Sequence, residues 1–153
     1  MDALERWNDR LFMTRSQMRE YDRIAIADLG MPGPVLMETA GGGAASMALE
    51  LLGGGRRAVV LAGPGNNGGD GFVIARRLLN AGVLAETLLA VPREKVTGDA
   101  LLNLEILERM GASLVELDED TAVAAVSERI RGADLVIDAL LGTGAARPVE
   151  GML

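Results

Sequence analysis

Ala58-Val-Val-Leu-Ala62 passes straight into Gly63-Pro-Gly-Asn-Asn-Gly-Gly-Asp-Gly71, and helical spacing resumes from Asp70 to Leu79. A short apolar run, a glycine-rich turn and an amphipathic helix make a βα unit, with the turn at the carboxyl end of a buried strand. The grammar repeats downstream. Leu84 to Val91 reads as a second strand, Asp99 to Met110 as a helix with Leu101, Leu104, Leu107 and Met110 on one face, and Gly111 stands where a helix C-cap belongs. Ser113 to Leu117 reads as a third strand, Thr121 to Arg131 as a helix burying Val123, Val126 and Ile130, and Asp134 to Leu141 as a fourth strand. Strands alternating with helices predict a doubly wound, three-layer α/β/α sandwich, Rossmann-like, around a mostly parallel sheet with right-handed crossovers.

Working outward, Thr14-Arg-Ser-Gln17 has capping-box spacing, and Met18, Tyr21, Ala25 and Leu29 follow at helical intervals, so a helix is expected over residues 15–29. Pro34 to Leu52 is apolar, with Gly41, Gly42 and Gly43 in its middle; close packing, a kink or backbone beside a ligand would each account for them. The 153 residues are read as one domain. With only one Trp, one Tyr and two Phe, its core must be aliphatic.

Composition removes whole classes of chemistry. A net charge of −7 argues against a nucleic-acid partner. No Cys means no disulfide, thiolate nucleophile or Cys-ligated metal, and no His means no imidazole base or His-ligated zinc. No run approaches the roughly 18 apolar residues that span a bilayer, so no membrane partner is expected and the cytoplasm is the default location.

The loop after the first strand satisfies Gly-x-Gly-x-x-Gly at Gly63, Gly65 and Gly68, but no Lys-Ser or Lys-Thr follows, which disfavours a Walker-type loop. The acid expected about 20 residues on for a dinucleotide ribose is missing as well. Pro92 and Arg93 stand after the second strand, where the Arg faces either a 2′-phosphate or solvent. More specific is the cluster Asn66, Asn67, Gly68, Gly69 and Asp70, two amides and a carboxylate among glycines. The plain alternative is a solvated turn with Asp70 capping the helix. A second constellation is Asp138-Ala-Leu-Leu-Gly142-Thr-Gly-Ala-Ala-Arg147. Its Asp138 sits among apolar residues and needs a partner, whether a cation, donors in a site, or backbone amides in a structural role. If the strand order is 3-2-1-4, both loops meet at one crevice beyond the strand ends.

Ala62-Gly-Pro-Gly-Asn-Asn-Gly-Gly-Asp-Gly-Phe-Val-Ile-Ala-Arg-Arg-Leu78 and Asp138-Ala-Leu-Leu-Gly-Thr-Gly144, with Ser16-Gln-Met-Arg19, Asp22 and Leu36-Met-Glu38, resemble the hallmark stretches of the NAD(P)HX epimerases, the YjeF N-terminal domain family. The resemblance spans the chain from about residue 12. It implies an isomerase of metabolite repair that interconverts the R and S hydrates of NADH and NADPH, serving an S-specific, ADP- or ATP-dependent dehydratase, fused or separate. It implies cofactor contacts from Asn66, Asn67, Gly68, Gly69 and Asp70 and from Gly142, Thr143, Gly144, Ala145, Ala146, Arg147 and Pro148. It also implies a potassium ion held by Asn67 and Asp138. The family commonly has Met-Glu-Asn-Ala-Gly where this chain has Met37-Glu-Thr-Ala-Gly41. Its catalytic Asp and a potassium-binding Ser belong to a stretch expected beyond Leu153. The chain is therefore expected to be incomplete at its C-terminus, its last strand to leave an apolar edge, and the chain alone to bind rather than turn over. Oligomeric state is left open, a homo-oligomer included. Two other classes remain in view: a non-catalytic nucleotide-binding or scaffold module of the same fold, and a hydride-transferring dehydrogenase.

Overall fold

The computed structural model describes residues 13–117 and 122–144. Helix α1 (Arg15–Arg23) starts at a capping box in which Thr14 and Gln17 bond each other's backbone, and it runs on into a π-turn, Ile24–Asp28. Then come α2 (Gly33–Leu52), β1 (Arg57–Ala62), α3 (Asn66–Asn80), β2 (Leu84–Leu89), α4 (Gly98–Arg109), β3 (Ser113–Glu116), α5 (Ala122–Arg131) and β4 (Leu135–Ala139). Gly111, with φ +70°, follows the end of α4 as the spacing required.

All four strands are parallel, in the order β3-β2-β1-β4. At their carboxyl ends Ala62 pairs with Leu89 on one side and Ala139 on the other. One face of the sheet, through Ala58, Val60, Ala62, Ala85 and Leu89, packs under α2, α3 and α4. Phe72, Leu78, Leu104 and Leu107 are fully buried there, each stabilising the fold by about 1.5–3 kcal/mol relative to exposure. On the opposite face Arg129 of α5 pairs with Glu86 of β2 at 3.2 Å, as right-handed crossovers demand. Among the described residues, no helix is long and apolar enough to cross a membrane.

Three expectations change. Val123 is 81% exposed, whereas Val126 and Ile130 are half-buried. The ion pair from α5 to Glu86 is made by Arg129, near the far end of the helix from Val123. Asp138 is exposed among the described residues, on the face of the sheet away from α3. Helix α3 begins at Asn66, four residues before the point where helical spacing becomes legible.

The glycines of α2 divide. A Cβ on Gly41 would lie 2.6 Å from Val73 Cβ, and one on Gly42 would lie 3.0 Å from Arg77 Cζ, so both are packing glycines that bring α2 onto α3. Gly43 faces open space. Glu38 fastens the same pair of helices by bonding both Arg76 and Arg77. Gly41→Ala should therefore destabilise the protein by about 1–3 kcal/mol through overpacking. Gly43→Ala should stabilise it by up to about 1 kcal/mol, since only the helix-propensity term changes. Urea unfolding of the two variants measures the difference, and equal effects would contradict the packing assignment.

Candidate functional site

The site begins with the way the chain leaves β1. Gly63 N–H donates to the Ala139 carbonyl at 3.0 Å, so the turn is bonded to the end of β4. A Cβ on Gly63 would overlap the Leu140 carbonyl oxygen, and a Cβ on Gly68 would overlap the Gly63 carbonyl oxygen. Only glycine fits at either place. Pressed down in this way, the turn enters α3 with Gly65 as its N-cap and no side-chain cap. The first intrahelical bond of the turn runs from Gly69 N–H to the Gly65 carbonyl at 3.0 Å. The backbone N–H groups of Asn66, Asn67 and Gly68 consequently have no partner within the helix, and they lie at its positive end.

The loop after β4 lies against this terminus. A Cβ on Gly142 would sit 3.0 Å from Asn67 Cβ, so the second loop packs on the amide side chain of the first. Between them opens a cavity of about 680 Å³. Of the residues to which the sequence assigned cofactor contacts, Asn66, Asn67, Asp70, Gly142, Thr143 and Gly144 line it. Gly68 and Gly69 do not: Gly68 is under Gly63, and Gly69 is against Met37, where a Cβ would lie 2.6 Å from the sulfur. Their role is to let the backbone pass. Ala145, Ala146, Arg147 and Pro148 lie outside the described residues. Asp138 is not in the lining. Its Oδ1 accepts from Leu140 N–H at 3.0 Å, a local turn bond at the strand end.

Several lining residues lacked any local signal. Arg19 and Asp22 reach the cavity from α1, Met37 from α2 and Asp99 from α4. The stretch from Ser16 to Asp22 drew notice only through family resemblance, and nothing in the sequence around Asp99 marked it. Thr39, in the place of the family's Asn, turns its hydroxyl to the Val35 carbonyl at 2.8 Å within its own helix. Arg93 is held by Glu108 in a two-pronged pair at 2.7 and 2.8 Å, so it serves the surface and not a ribose phosphate.

Asp70 is not a helix cap. It stands in the fifth position of α3, and its carboxylate makes no hydrogen bond among the described residues. Burial raises its pKa from the ordinary 3.8 to about 6, and the negative charge of Asp22 adds to the rise.

Residues 33–153 match the family described as YjeF-related protein N-terminus. The chain is 41% identical over 139 residues to a protein of Rhodopirellula baltica named NAD(P)H-hydrate epimerase, which covers 91% of this chain and 55% of that one. It is 39% identical over 137 residues to a protein of Thermofilum pendens named bifunctional NAD(P)H-hydrate repair enzyme Nnr, covering 90% of this chain and 26% of the relative. The chain thus spans little more than half of the first relative and about a quarter of the second. The crystal structure of yeast ynu0 superposes with a TM-score of 0.76 at 25% identity, over 92% of this chain and 60% of that one.

The Asp70 shift has a definite sign in stability. Between about pH 4 and pH 6 the folded protein holds more proton on this group than the unfolded chain does. The contribution is therefore fully present below about pH 4 and is lost as pH rises through about 6. Relative to wild type, Asp70→Asn should gain stability between pH 4 and pH 8, on the order of 1 kcal/mol once partial solvation is allowed for. Denaturant unfolding at the two pH values reads the difference, and a pH-independent difference would contradict the assignment. Asp22→Asn should bring the Asp70 titration downward, as followed by carboxyl-carbon NMR.

Proposed function

The chain belongs to the YjeF-related N-terminal family, and from that premise we propose that it is the cofactor-binding part of an NAD(P)H-hydrate epimerase, acting on the R and S hydrates of NADH and NADPH. The observation that carries the reading is the meeting of two loops, from the ends of adjacent parallel strands, around one cavity large enough for part of a dinucleotide. The unpaired N–H groups at the start of α3 suit a phosphate oxygen. The side chains of Asn66, Asn67 and Asp70 supply directed donors and acceptors beside it.

A potassium ion is part of this proposal. The donor set is of the right chemistry: Asn67 offers an amide oxygen beside the Gly142 loop, and Asp138, which stands outside the cavity lining at the end of β4, keeps a carboxylate oxygen beyond the one bonded to Leu140 that would have to turn toward Asn67. Such all-oxygen sets suit a hard cation. Asn67 and Asp138 would hold the ion, whose charge would steady the second loop and offset ligand phosphate. A dehydratase, fused as the name of the Thermofilum pendens relative suggests or separate, would consume the S hydrate. A Cys-free chain working on reduced nicotinamide cofactors fits a reducing cytoplasm.

Full-length protein given the R hydrate with potassium present should form the S hydrate faster than the protein-free mixture does, as followed by chromatography of the two epimers. No acceleration would sink the proposal, while cofactor binding without turnover would favour a scaffold module. Asp138→Ala should abolish the potassium dependence and weaken cofactor binding while changing unfolding free energy by less than about 1 kcal/mol, as an exposed side chain allows. A stability loss as large as the binding loss would assign Asp138 to structure alone.

A further inference from the structure

Helix α1 forms a wall of the cavity without being held by the core. None of its side chains is buried, and in the π-turn that follows only Ala25 is. Yet Met18, Arg19 and Asp22 all line the cavity. The bond that ties the helix to the site is long in sequence: Arg19 Nη2 donates to the Thr143 carbonyl oxygen at 2.8 Å across 124 residues. Arg19 and Asp22 are three apart and so share one face of α1. Arg23, on another part of the helix, is engaged with Glu20 and Asp28, contacts local to α1 and its π-turn.

We infer that Arg19 is a positioning residue of the proposed epimerase site, holding the Gly142–Gly144 loop against Asn67 and, through the same bond, seating α1 so that Asp22 faces Asp70 across the cavity. The inference rests on the functional reading above. The residue type suits the task. A guanidinium stays charged at every pH of interest, donates to a carbonyl through a charge-assisted bond, and keeps further N–H groups free to face an anionic ligand. A loop end rich in glycine, as Gly142-Thr-Gly144 is, has little intrinsic preference for one position, so an external tether decides where it sits. The cavity lining also contains Asp22, Asp70 and Asp99, and among the described lining residues Arg19 is the sole cation facing them.

The test uses full-length protein and the variants Arg19→Ala, Arg19→Lys and Arg23→Ala. Arg19→Ala should raise KM for the NADPH hydrate about tenfold or more with a smaller change in kcat, and Arg19→Lys should recover part of that loss. Arg23→Ala should weaken α1 locally and leave KM within about twofold. Hydrogen exchange at the Thr143 and Gly144 amides, measured without substrate, should quicken in Arg19→Ala and not in Arg23→Ala. Unchanged exchange and unchanged KM in Arg19→Ala would overturn the inference, as would an equal rise in KM from Arg23→Ala, which would mean that any loosening of α1 has the same effect. If wild-type protein neither binds nor epimerises the hydrate, the functional reading fails, and the exchange experiment still decides whether Arg19 sets the loop.

Discussion

The carbonyl oxygens of Leu140 and Gly63 occupy the space where side chains would stand at Gly63 and Gly68. This contact of backbone on backbone fixes the rest of the site. Because β1 and β4 are parallel neighbours, with Ala62 opposite Ala139, their exits emerge side by side and must pass each other at once. The first exit can do so only by collapsing into a turn without side chains, and the collapse starts α3 at Asn66. Gly71 continues the demand one turn later, where a Cβ would meet Ala139 Cβ at 2.7 Å. Any side chain at these positions would lift α3 from the sheet and separate the two loops.

The same constraint explains where sequence reasoning succeeded and where it failed. The alternation of strand and helix and the glycine after α4 are set by local periodicity, which is legible in one chain, whereas the order 3-2-1-4 entered only as a condition taken from the common arrangement. The start of α3 was not legible. Gly68 and Gly69 have poor helix propensity, yet they are helical, and the backbone of Gly63 and the side chain of Met37 leave no room for a side chain at either. Asp138 looked enclosed because its sequence neighbours are apolar, but period 2 turns it to the face of the sheet away from α3. Arg93 found Glu108, a partner 15 residues away that no pattern joined to it. Arg19, Asp22 and Asp99 reach the cavity only through tertiary packing. Arg19 acts across 124 residues, a distance at which periodicity carries no information.

Electrostatically the cavity sets opposites close together. The start of α3 presents N–H groups with no partner within the helix, favourable to an anion, while Asp22, Asp70 and Asp99 line the same cavity. Burial first, and the charge of Asp22 second, raise the Asp70 pKa to about 6. A bound cation near the second loop and the guanidinium of Arg19 would both ease the repulsion of a phosphate. The acids in turn leave the site with acceptors for hydroxyl and amide groups of a ligand.

The central claim is that the loops after β1 and β4 are halves of one ligand site. Amide NMR of isotope-labelled protein titrated with the NADPH hydrate tests it most directly. The account predicts that the amides of Gly65 to Asp70 and of Gly142 to Gly144 shift together along one binding curve with a single Kd. Shifts confined to one loop, or two sets following different curves, would contradict it.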